Sequence, residues 1–173
     1  MIIQTQRLRL RPWQDSDRDD FAAMVADPEV MVDTQRPLDR EESDVKFDRY
    51  AAAFERLGYC RWALETLDGA FVGYTGVMPA HQGHPLGPHH EMGWRLVRAA
   101  WSNGYATEAA RAALADVFER GGLSEVLAYT APDNIRSQAV MTRLDLQREP
   151  RLDFTSVNSG APWTGLVWVA RPA

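Results

Sequence analysis

Polar and apolar residues alternate through Arg7-Leu-Arg-Leu-Arg11 and stop at Pro12, the pattern of a strand with one buried face. Helical spacing follows. Asp15 or Ser16 caps a helix carrying Phe21, Met24 and Val25, which Asp27-Pro28 interrupts, and a second helix runs from Asp39 to Leu57 with Val45, Phe47, Tyr50, Ala51 and Phe54 as its apolar side. Gly58 ends it. Strands over residues 61–66 and 71–78 flank Leu67-Asp68-Gly69, a hairpin signal. Residues 79–88 are rich in Pro, Gly and His and predict a polar surface loop. Alternation returns over residues 90–97, with Met92, Trp94 and Leu96 on one face and Glu91, Gly93, Arg95 and Val97 on the other. From Gly104 to Arg120 Ala106, Ala109, Ala110, Ala113, Leu114 and Val117 recur at helical spacing, small enough to lie close on a sheet. A strand over 125–130, a short helix capped by Asp133 or Asn134, an irregular stretch over 151–162 and a strand over 163–170 complete the chain. Strands alternating with helices, with hairpins at both ends, predict one α/β domain spanning 1–173, a mixed and mostly antiparallel sheet flanked by helices.

A chain of 173 residues, 45% hydrophobic and 25% charged, supports a single buried core. Its net charge of −5 argues against a nucleic-acid partner, which calls for a basic face. No apolar run is long enough to span a bilayer, and Gln4, Gln6, Arg7 and Arg9 make the start too polar for a signal peptide, so a cytoplasmic protein without membrane partners is expected. Cys60 is the sole cysteine, which excludes an intrachain disulfide or thiolate cluster and favours a packed thiol. His81, His84, His89 and His90 gather in or beside one loop, but without helical spacing or paired carboxylates, and no metal is expected.

The chemistry concentrates at the junction of residues 98–109. A strand turning through Gly104 into a helix presents open backbone N–H groups and the positive end of a helix dipole, which suits an anion, although such junctions are also ordinary connections. Glu91 begins the strand that leads there, about six steps and roughly 20 Å away. A ligand using both ends is long, with phosphates at one end and its reacting atom toward the other.

Taken together, Thr5-Gln-Arg-Leu-Arg-Leu-Arg-Pro12, Asp27-Pro-Glu-Val-Met31, Pro37-Leu-Asp-Arg-Glu-Glu-Ser43, Glu91-Met-Gly-Trp-Arg-Leu96, Trp101-Ser-Asn-Gly-Tyr-Ala-Thr-Glu-Ala109 and Asp133-Asn-Ile-Arg-Ser137 resemble the GCN5-related N-acetyltransferases. Within them the chain is similar to the bacterial branch that includes ribosomal-protein N-terminal acetyltransferases. Trp101, Gly104 and Ala106 fill the family's pyrophosphate pattern. Ser102 stands where a second glycine is common, and Leu144-Asp145-Leu146 replaces the usual Leu-Gly-Phe; an aspartate adopts the left-handed turn at some cost.

The resemblance implies acetyl-CoA as co-substrate, its arm paired with the backbone of Leu96 and Val97, its phosphates held by Ser102, Asn103, Gly104, Tyr105, Ala106 and Thr107, and Asn134 near the thioester. It implies Glu91 as the base, directly or through water, and Ser137 as the acid for the departing thiolate. From the residues alone, Glu91 equally serves as an ion-pair partner of Arg95 or a neighbouring strand, and Asn134 and Ser137 as caps. The acceptor is an amine, a protein N-terminus or a small molecule, and the resemblance fits a monomer or homodimer. A non-catalytic acyl-CoA-binding relative is the alternative. A dinucleotide-binding domain is disfavoured because the loop lacks G-x-G-x-x-G.

Overall fold

The computed structural model describes residues 1–34, 36–158 and 160–172. Its elements are β1 (Ile3–Gln4), β2 (Leu8–Arg11), α1 (Arg18–Ala26), α2 (Arg40–Leu57), β3 (Arg61–Thr66), β4 (Phe71–Pro79), β5 (His90–Leu96), α3 (Tyr105–Glu119), β6 (Val126–Thr130), α4 (Ile135–Arg143), β7 (Gln147–Arg148), β8 (Phe154–Asn158) and β9 (Ala161–Ala170). The strands lie in the order β1-β2-β3-β4-β5-β6-β9-β7, with β8 against β9. All neighbours are antiparallel except β5 and β6.

Local chemistry sets the ends of α2. The Asp39 carboxylate accepts the Glu42 N–H at 2.9 Å, Glu42 accepts the Asp39 N–H at 3.1 Å, and Gly58 at φ 76° stops the helix. Helices α1 and α2 cover the sheet through aromatic edges: Trp13 and Phe21 have ring centres 5.2 Å apart, as do Trp13 and Phe47, and Tyr50 meets Tyr74 of β4 at 5.3 Å. Helix α3 lies on β4 and β5 through buried Ala109, Ala110 and Ala113.

Two expectations are corrected. The stretch over 151–162 is not irregular: β8 and β9 form a hairpin registered from Phe154↔Gly165 to Asn158↔Ala161, while Ser159 lies outside the described residues. Val157 is exposed, so the hairpin lacks the apolar alternation that announces a strand. The loop between β4 and β5 is not wholly a polar surface either. Leu86 from this loop packs against a second core of Leu127, Phe154, Val167 and Val169, and His84 is buried there with its ring centre 4.7 Å from Phe154 and 5.1 Å from Tyr129. Its Nδ1 accepts the Leu86 N–H at 3.1 Å. The short strands β1 and β7 are further additions, too brief for periodicity to announce. No helix among the described residues is long and apolar enough to cross a membrane.

Candidate active site

Strand β5 pairs with β4 along its whole length, from Pro79↔His90 to Gly73↔Leu96, but with β6 among the described residues only at Glu91↔Leu127. Beyond that point β5 and β6 part. The Val97 N–H donates to the Val72 carbonyl at 3.1 Å. Antiparallel alternation therefore turns the N–H and C=O groups of Trp94 and Leu96 away from β4 and toward the gap. The Leu96 carbonyl accepts the Trp101 indole N–H at 2.9 Å, so the Leu96 N–H and both Trp94 groups face the opening. Val97 is corrected in this respect: its N–H belongs to the sheet.

Beyond β5 the chain reaches Ser102 at φ 63° and Gly104 at φ 78° before entering α3. No side chain caps α3, and the first ladder bond runs from the Glu108 N–H to the Gly104 carbonyl at 3.1 Å. The N–H groups of Tyr105, Ala106 and Thr107 therefore have no partner within the helix, and the positive end of its dipole is open. A Cβ at Gly104 meets nothing closer than Arg7 Nη2 at 3.5 Å. Arg7 braces this turn: its Nη1 donates to the Asn103 carbonyl at 2.9 Å, its guanidinium lies 4.9 Å from the Tyr105 ring centre, and its Nε donates to Glu108 at 2.7 Å.

Gap, turn and the start of α4 join in one groove of about 880 Å³. Trp94, Leu96, Ser102, Gly104, Tyr105, Ala106, Thr107, Asn134 and Ser137 line it; Glu91, Val97 and Asn103 do not. Asn134 caps α4, its side-chain oxygen accepting the Ser137 N–H at 3.2 Å, which leaves the Ser137 hydroxyl on the groove wall. A further stretch of its wall is formed by Glu29, Val30, Val32 and Asp33.

That wall is pinned by Arg95, which parity places on the Glu91 face of β5 and which is half-buried among fixed partners. Its Nη1 and Nη2 bond the two Asp33 oxygens at 2.8 and 3.0 Å, Nη1 also bonds the Val30 carbonyl, and Nε donates to the Tyr74 hydroxyl at 3.3 Å. Burial alone pushes the Tyr74 phenol up, but the positive charges of Lys46, Arg95 and Arg61 outweigh it and bring it down to about 7.

Glu91 stands where β5 and β6 part. One oxygen accepts from Arg61 Nη2 at 2.7 Å and the other from the Tyr129 hydroxyl. Its ion-pair partner is thus Arg61 of β3, not Arg95. Arg61 reaches it across a row of glycines, Arg61↔Gly76↔Gly93, bonding the Gly76 carbonyl on the way. A Cβ at Gly93 would sit 2.6 Å from Arg61 Nη1. Sequence reasoning missed Arg61, Tyr129 and Asp33 and offered Arg95 the wrong partner, although glycine at two strand positions is a signal that something passes close to the backbone. Cys60 is buried, and burial pushes its thiol up to about 12. Among the described residues no group of three His, Cys, Asp or Glu side chains is placed to hold a metal.

A family model described as an acetyltransferase (GNAT) domain matches residues 7–147. The uncharacterized N-acetyltransferase YoaA of Bacillus subtilis strain 168 is 25% identical over 99% of this chain and 97% of its own length. The FsC-acetyl coenzyme A-N(2)-transacetylase of Aspergillus fumigatus is 32% identical over 80% of this chain and 62% of its own. Among solved structures, an acetyltransferase from Agrobacterium tumefaciens strain C58 superposes with a TM-score of 0.81 at 26% identity, covering 99% of this chain and 95% of the other.

Proposed function

The chain belongs to the GNAT acetyltransferase family, and from that premise we propose that it transfers an acetyl group from acetyl-CoA to a primary amine, a protein N-terminus or a small molecule. The observation that carries this reading is the continuity of one groove from the open edge of β5 to the uncapped start of α3. Such a groove fits a long ligand with an anion at one end. The Tyr105, Ala106 and Thr107 N–H groups take the pyrophosphate with Ser102 and Gly104 shaping the turn, and the free N–H of Leu96 and both polar groups of Trp94 pair with the amide-bearing arm. The name of the Aspergillus relative, which includes acetyl coenzyme A, is consistent with that choice.

When bound, acetyl-CoA supplies an activated acyl carbon and a thiolate leaving group. The chain has to manage two protons. Glu91 is fixed by Arg61 and Tyr129 and does not line the groove, so it accepts the proton of the acceptor ammonium through an intervening water. The Ser137 hydroxyl, on the groove wall, gives its proton to the departing sulfur. The segment Glu29–Asp33, held by Arg95, forms the acceptor side.

Calorimetry with acetyl-CoA, followed by free-thiol release over an amine panel that includes peptide N-termini, tests this reading. Saturable binding and thiol release on at least one amine are expected. Binding without release on any amine would make the chain an acyl-CoA binder, and absence of binding removes the proposal. Ser137→Ala is expected to slow turnover while keeping acetyl-CoA affinity; unchanged turnover dismisses Ser137 as the acid.

A further inference from the structure

Most arginines in this acidic chain are paired with a carboxylate. Among the described residues only Arg49, Arg56, Arg136 and Arg143 have none within 4.0 Å. Two of these four line the groove, both from α4. They are seven residues apart, which is about two helical turns and puts them on one face. Arg136 is held rather than loose, its guanidinium 4.4 Å from the Trp101 ring centre. The Arg143 carbonyl accepts a bond from Arg111 of α3, which fixes this end of α4 against the phosphate-side helix. Carboxylates do lie near this wall, but they are otherwise engaged: Glu108 bonds Thr5 and Arg7, and Asp145 lies 3.8 Å from Arg111.

Two uncompensated cations on one wall of the groove fit an anion that the α3 start does not itself neutralise. Backbone help from α4 is limited, because Asn134 already occupies the Ser137 N–H. On the acetyl-CoA reading of this groove, on which the inference rests, the pyrophosphate is taken by the N–H groups at the start of α3. The remaining anion of that ligand is the phosphate monoester on its ribose, close to doubly charged at neutral pH. We infer that Arg136 and Arg143 form a cationic lip on α4 that receives this monoester and makes the protein discriminate the 3′-phosphorylated nucleotide from its dephosphorylated form. A guanidinium matches phosphate oxygens in pairs, which suits a terminal monoester better than a bridging diphosphate.

The test is calorimetric, with CoA and 3′-dephospho-CoA as probes on the full chain and on Arg136→Gln, Arg143→Gln and the double variant, melting temperatures being checked alongside. The chain is expected to bind CoA at least about ten-fold tighter than 3′-dephospho-CoA, from charge-assisted bonds to one phosphate. The double variant should lose that preference by weakening only CoA, leaving dephospho-CoA within about two-fold of its original affinity, with sensitivity of CoA binding to salt falling as well. Equal affinity of the unaltered chain for both nucleotides overturns the inference while leaving the acetyl-CoA reading intact. Equal loss of both nucleotides in the variants also overturns it, since that marks general packing. Failure to bind either nucleotide defeats the acetyl-CoA reading, and this inference with it.

Discussion

Gly104→Ala separates the structural from the ligand-binding duty of the α3 turn. At φ 78° an L-residue is held in the left-handed region, which costs about 1–2 kcal/mol. Alanine recovers about 0.4–1 kcal/mol by restricting the unfolded chain. The new methyl meets only Arg7 Nη2, at 3.5 Å, so no steric term is added. The net loss is about 1 kcal/mol, or about 2–4 °C in melting temperature for a chain of this size. Binding should suffer more. The methyl sits one residue before the Tyr105 N–H on the turn proposed to hold the phosphates, and losing one charge-assisted bond is worth about 1.5–3 kcal/mol, or about ten- to a hundred-fold in Kd. Calorimetry with CoA alongside thermal melts reads both quantities. A variant that melts lower but binds CoA with unchanged affinity would refute the placement of the phosphates at this turn.

Other perturbations address the remaining parts of the site. Glu91→Gln preserves an acceptor for Arg61 while removing basicity, and should lower kcat/KM by about 10² across pH; a loss under about threefold would leave Glu91 as an ion-pair partner only. Ser102→Gly relieves a left-handed serine at φ 63°, and the relief exceeds the entropy that glycine adds, so melting should rise by about 2–4 °C; a lower melting temperature contradicts the strain assigned to it. Tyr74 is an acid whose folded value is brought from 10.0 down to about 7, so its contribution is fully present above pH 10 and lost as pH falls through 7. The stability advantage of the unaltered chain over Tyr74→Phe should therefore grow between pH 7 and 10, and ultraviolet titration should show one phenolate forming near neutrality. No phenolate before pH 9 would rule that ionisation out.

What the sequence displayed of this site is what is local in it. The strand over 90–97, the glycine turn and the alanine-rich helix are contiguous, so periodicity and turn chemistry suffice to assemble them. The Asn134 cap lies three residues from Ser137, and the two positions that depart from family glycines, Ser102 and Asp145, are the two non-glycine residues found at positive φ among the described residues. What stayed hidden depends on register. Arg61 and Glu91 are 30 residues apart in sequence, and Asp33 and Arg95 are 62 apart. Only the pairing of β3, β4 and β5 reveals that Gly76 and Gly93 clear a path for one buried guanidinium. Likewise, nothing local to a loop rich in Pro, Gly and His says that His84 turns inward against Tyr129 and Phe154.

The gap between β5 and β6 presents a physical problem: two parallel neighbours that part leave backbone groups without partners, and such edges tend to close or to recruit another strand. Here the parting is held from three sides. Arg61 and Tyr129 fix Glu91 at the apex, where the last registered pair stands. The Trp101 indole takes the Leu96 carbonyl, and Arg7 ties the following turn to β2's approach through Asn103 and Glu108. Tyr129 bonds across from β6 itself, whereas Arg61, Trp101 and Arg7 reach in from outside the parted strands. The Trp94 and Leu96 groups that remain are those a bound arm can reach, and the carboxylate proposed as the base is also the residue that keeps the apex in place. Removing its charge should therefore affect both proton transfer and acetyl-CoA affinity, whereas Ser137, on the far wall and bearing no such contact through its hydroxyl, should affect turnover alone.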